Sequence, residues 1–110
     1  MCRALKVLCA ASSPDRLAEL KRATVSAHWE LVGGAVSVET VGQQVELHRP
    51  DVVVVDASLG AGAVDAVRRA CDARVICVGD LRGADAIAAS LDDVRDAILG
   101  VPRAGGPVKR

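Results

Sequence analysis

Pro50-Asp51-Val52-Val53-Val54-Val55-Asp56, followed directly by Ala57-Ser58-Leu59-Gly60, decides the fold of this chain. Four consecutive valines without polar alternation are apolar on both faces. Such a strand is expected where helices cover both sides of a parallel sheet. The run then delivers an aspartate, Asp56, to the carboxyl edge of that sheet, where ligand and catalytic groups collect in open α/β folds.

Outward from this strand the chain alternates. Leu5 to Ala10 reads as a first strand, and Ser13-Pro14-Asp15 as a helix start: a capping hydroxyl, a proline suited to the first helical position and an acid at the positive end of the dipole. Leu17, Leu20 and Thr24 mark one face of that helix to about residue 27. Trp29 to Ala35 gives a second strand ending in glycines. Glu39 to Arg49 gives a second helix with Val41, Val45 and Leu47 available for packing, stopped by Pro50. After the valine strand, a glycine-rich turn leads into a helix with Val64 and Val67 inward and Arg68-Arg69 outward, and Arg74 to Val78 forms a fourth strand.

Beyond Gly79 the pattern loosens. The seven residues from Gly79 to Asp85 are too short and loop-like for a helix, although a parallel crossover normally takes a dozen or more. Fully extended they reach about 23 Å, enough to run the length of a ~17 Å strand. An extended crossover leaves one sheet face thinly covered, and that face, lined by Val78, Ile87 and the last helix with Val94 and Ile98, is expected to be a partner or oligomer surface. The weak segment 85–89 reads either as a fifth strand, Ala86 to Ala89, or as no strand at all. Ser90-Leu91-Asp92-Asp93 has capping-box spacing and opens the last helix. The fold class expected is a flavodoxin-like doubly wound parallel sheet, order 2-1-3-4-5, with the fourth helix shortened or missing. Residues 1–100 form the domain and 101–110 a flexible Gly/Pro-rich tail.

Composition narrows the function. The 110 residues fit one domain that buries roughly 65% of its unfolded surface. Fourteen basic and fourteen acidic residues cancel, so no global field favours nucleic acid or an anionic membrane. Trp29 is the sole aromatic residue, which removes the stacking platforms of single-strand readers. No apolar run approaches the ~20 residues of a membrane span, and the expected compartment is the cytoplasm. Cys2, Cys9, Cys71 and Cys77 lack the close pair spacing of a zinc site, and Cys9 and Cys77 sit in apolar runs as buried hydrophobes. Neither a metal nor a cofactor is expected. Arg68, Arg69 and Arg74 read as a solvated face.

The stretch from Trp29 to Gly60, and Gly83-Ala84-Asp85 further on, resembles a response-regulator receiver domain of bacterial two-component systems. Asp56 then falls where a receiver carries its phosphoacceptor. The resemblance implies an acidic pair for Mg²⁺ after the first strand, where this chain has Ala11 and Ser12. It implies a hydroxyl residue ending the fourth strand, here Gly79; an aromatic switch in the fifth, here Ile87; and a lysine closing it, here Ser90. Phosphoryl transfer needs a metal and cations to neutralise the transferring group, and Asp56 alone is a poor Mg²⁺ site. The expectation is therefore a degenerate receiver acting by protein contact, with a protein partner or a second copy, and not an enzyme. Two alternatives stay open: a phosphoacceptor at Asp56, or a phosphocysteine carrier or small phosphatase with Cys9 as nucleophile and six residues between Cys9 and Arg16. Without phosphotransfer chemistry, Asp56 is expected to cap the turn that follows it.

Overall fold

The computed structural model describes residues 5–26, 29–70, 73–79, 84–88 and 90–98. Its elements run β1 (Leu5–Ala10), α1 (Pro14–Thr24), β2 (Trp29–Leu31), α2 (Val38–His48), β3 (Val52–Asp56), α3 (Ala61–Ala70), β4 (Arg74–Val78), β5 (Ala86–Ala88) and α4 (Val94–Ile98), with short 3-10 turns at Ala57–Leu59 and Leu91–Asp93. The five strands form one parallel sheet in the order β2-β1-β3-β4-β5. This is the flavodoxin-like arrangement the alternation predicts, and the segment left ambiguous at 85–89 does contribute a fifth strand.

The valine run does what its lack of alternation demands. Val53 and Val55 point to one face with Leu8, Ala10 and Val75, against Val41 and Val45 of α2 and Val64 and Val67 of α3. Val52 and Val54 point to the other with Val7, Cys9, Ile76 and Val78, against Leu20 of α1 and Val94 and Ile98 of α4. Strand side chains alternate, so one uninterrupted run fills two cores.

Helix starts follow the local chemistry. Ser13 accepts a hydrogen bond from the Arg16 amide at 3.2 Å, with Pro14 opening α1. Ser37 does the same for the Thr40 amide at 3.2 Å. α2 ends on Arg49 in the left-handed region, φ 48°, its amide bonded to the Val45 carbonyl, and Pro50 prevents continuation. Leu47, expected to pack, is 70% exposed, because it lies about 200° round the helix from Val45 and the buried stripe is Val41 and Val45. β2 is shorter than Trp29 to Ala35: Gly33 turns to φ 56°, and only Ala35 rejoins the sheet, through a bridge to Ala10. At the last helix Ser90 makes no side-chain bond to the helix backbone; its hydroxyl donates to the Asp93 carboxylate at 3.4 Å, and a 3-10 turn precedes α4.

Two aspartates at the amino end of the sheet fix strand register by the same device. Asp51 donates its amide to the Lys6 carbonyl and accepts the Lys6 amide on Oδ2, both at 2.9 Å. Asp85 donates its amide to the Val75 carbonyl and accepts the Val75 amide on Oδ2, both at 2.8 Å. Each carboxylate thus supplies the acceptor that the ladder lacks at its starting edge. For three-residue β5 this clamp, with the Gly79 amide donating to the Ala88 carbonyl at 3.0 Å, settles the pairing to β4.

The surface expected at Val78, Ile87, Val94 and Ile98 takes a different form. Val78, Val94 and Ile98 are buried together in the α1/α4 core. Ile87 pairs with Cys77 in register and faces the opposite side, 54% exposed. The four residues therefore do not share a surface, because alternation along β4 turns Val78 towards the helix that covers it. The expected helix-free crossover falls on 79–85, of which 80–83 lie outside the described residues, as does the tail expected at 101–110. Ala84, at its described end, packs on the α2/α3 core.

Candidate functional site

β3 ends at the sheet's carboxyl edge, and its last residue, Asp56, is only 6% exposed. Asp56 is also the cap of the 3-10 turn that follows: Oδ2 accepts hydrogen bonds from the Ser58 amide, at 3.3 Å, and from the Ser58 hydroxyl. The capping expected of this aspartate is present. On the other oxygen sits a group the sequence did not reveal. Arg16, in the first turns of α1, donates Nε to Oδ1 at 3.0 Å and places Nη2 3.0 Å from the same atom, while its Nη1 reaches Glu19 at 3.4 Å.

These contacts set the charge of the site. Burial pushes the Asp56 carboxyl up, but the Ser58 hydroxyl, the Arg16 guanidinium and the Ser58 amide together outweigh it and hold the group below its ordinary value. Asp56 is an ionised carboxylate with a fixed cation. Arg16 in turn is held more firmly protonated by Asp56.

The neighbouring positions are arranged differently from what a metal-dependent acceptor needs. Ala11 is fully buried and Ser12 exposed, with no carboxylate at either. Gly79 has φ 101°, and a side chain there would bring its Cβ to 2.9 Å from Ala57 Cβ. A hydroxyl residue at 79 would thus meet both backbone strain and a contact. Ser90, on the exposed surface, caps the last 3-10 turn by position. Among the described residues no group of three or more His, Cys, Asp or Glu could hold a metal ion.

Cys9 lies apart from this edge. Its side chain points into the α1/α4 core, with Sγ 3.4 Å from Thr24 Oγ1. Burial raises the thiol pKa against smaller lowering effects from Thr24 and Lys21, which disfavours the thiolate a nucleophile requires. Arg16, the arginine that a phosphatase loop would turn towards Cys9, is engaged with Asp56 instead.

No protein-family model matches the sequence, and no curated protein does. Similarity to solved structures is extensive. The signal receiver domain of NarL from Mycobacterium tuberculosis superposes with a TM-score of 0.73 at 21% identity, over 94% of this chain and 99% of that one. The chain has the receiver fold. The response regulator domain of Thermotoga maritima CheB matches with a TM-score of 0.69 at 18% identity over 98% of this chain and all of that one. The receiver domain of Erythrobacter litoralis PhyR matches with 0.66 at 18%, over 97% of each. Whole receiver domains are thus matched end to end by this chain. No helix among the described residues is long and apolar enough to cross a membrane.

Proposed function

We propose that this receiver-fold chain is a signalling or localisation module that works through protein contact, without phosphotransfer at Asp56 and without catalysis. One observation carries the reading: the carboxylate at the acceptor position is already neutralised and held by Arg16 and Ser58. A Mg²⁺ ion at an acceptor aspartate supplies positive charge and holds phosphoryl oxygens. Here the charge comes from a tethered guanidinium already engaged by Asp56 and Glu19, and the flanking Ala11 and Ser12 offer no carboxylate to share a metal. Asp56 acts as the link between β3 and the start of α1. The core position and raised pKa of Cys9 argue against the nucleophilic reading in the same way.

Incubation with acetyl phosphate and Mg²⁺ followed by intact-mass measurement tests this. Unmodified protein is the expected result. A phosphoryl adduct removed by Asp56→Asn would overturn the reading in favour of a phosphoacceptor. Trp29 provides a second readout, because its indole N–H bonds to the Thr24 carbonyl at 2.6 Å and reports movement at the end of α1.

A further inference from the structure

α2 and α3 pack side by side on one sheet face and leave a groove of about 280 Å³ between them. Its α2 wall carries Glu39, Gly42 and Glu46, and its α3 wall Ala66 and Arg69. The two walls have opposite charge. Glu39, Glu46 and Arg69 are exposed, and among the described residues none of the three enters an ion pair. By contrast, Arg68 of the same helix is paired with Asp85.

Gly42 adds a second observation. A glycine inside a helix costs roughly 1 kcal/mol relative to alanine, and a Cβ at Gly42 would meet nothing within 4 Å. Packing within the chain therefore gives no reason for its missing side chain. What the absence does provide is a low point on the groove wall, where another backbone or side chain can approach closely.

The levels of the charges also agree. The two helices run in the same direction, since each returns from one parallel strand to the next. A Cβ on Gly62 near the start of α3 would lie 3.8 Å from Val38 at the start of α2, so the two starts are level. Glu46 lies about 12 Å along α2 from Val38 and Arg69 about 10 Å along α3 from Gly62, at ~1.5 Å per residue. Both line the groove at nearly the same level, without an ion pair between them.

We infer that the α2/α3 groove is the contact surface for a second copy of this chain, related by a two-fold axis running along the groove. That operation lays α2 of each copy over α3 of the other, setting Glu46 of one against Arg69 of its mate twice over, with Gly42 about one turn, ~6 Å, nearer the helix starts. A self-complementary patch is what an isologous dimer requires, and walls of opposite charge supply it. The surface differs from the Ile87 region and extends the proposed contact-based function. Its test leaves Asp56 untouched, so the two ideas fail separately.

Sedimentation equilibrium on the full chain, at low and high salt, is the test. The expected result is a concentration-dependent dimer weakened by salt. Arg69→Glu alone and Glu46→Arg alone each raise the dissociation constant about tenfold or more through two like-charge contacts. An equimolar mixture of the two variants associates again, because both contacts in the mixed dimer are then of opposite charge. A wild-type chain that stays monomeric to millimolar concentration would overturn the inference. So would a dimer that neither substitution weakens, or variants that do not associate when mixed. Both positions are exposed, and circular dichroism of each variant serves as the check that it is folded.

Discussion

Two aspartate–arginine pairs stand at opposite ends of the sheet and do different work. Asp56 and Arg16 meet at the carboxyl edge at 3.0 Å, with the carboxylate side chain 8% exposed. Asp85 and Arg68 meet near the amino edge at 3.2 Å, both about 40% exposed. Water screens the second pair, and pairs of that kind contribute little. The stabilising role of Asp85 lies in its clamp on the Val75 backbone, and its carboxyl pKa is lowered chiefly by the Val75 amide, with Arg68 a smaller cause. At Asp56 the partners are needed because the charge is buried. An ion pair's importance is set by what else would satisfy the carboxylate.

Variants can break this contrast. Arg16→Met keeps much of the aliphatic stem and leaves Asp56 buried with Ser58 alone; denaturant unfolding should show a loss of about 2 kcal/mol, since an abandoned buried charge is costly. Asp85→Ala removes the clamp and should cost about 1 kcal/mol, with faster amide exchange at Val75 than in the wild-type chain. Arg68→Ala should cost no more than about 0.5 kcal/mol. A larger loss for Arg68→Ala than for Arg16→Met would reverse the contrast.

Acid sharpens it further. Both carboxyls have native pKa values below their ordinary one, so each contributes stability that is complete above the unfolded value near pH 4 and is lost as pH falls through the native value. Asp56→Asn and Asp85→Asn should each flatten the stability profile below about pH 4. Thermal unfolding across that range measures it, and an unchanged profile in both variants would count against the assigned contacts.

Much of the fold was legible because it rests on local signals. The bounds of β1 and β4, the two-sided valine strand and the Ser13-Pro14 helix start follow from residues adjacent in the chain. The site was less legible. The resemblance implies a lysine where this chain has Ser90, and no cation for Asp56 is readable from the sequence, yet Arg16 supplies one from forty residues away, and nothing in the spacing of either segment encodes that meeting. Asp85 looked like loop for a related reason: its partner is a backbone amide on another strand. The thin face failed at Val78, where one step of alternation decides which core a residue joins.

Under the proposed function Arg16 occupies the electrostatic role of a metal ion at Asp56. Titrating Mg²⁺ into the ¹⁵N-labelled chain, while following the Ser58 and Ala57 amides, tests it most directly. No saturable shift is expected at these amides in the wild-type chain up to millimolar metal. A saturable shift in the wild-type chain, abolished by Asp56→Asn, would contradict it.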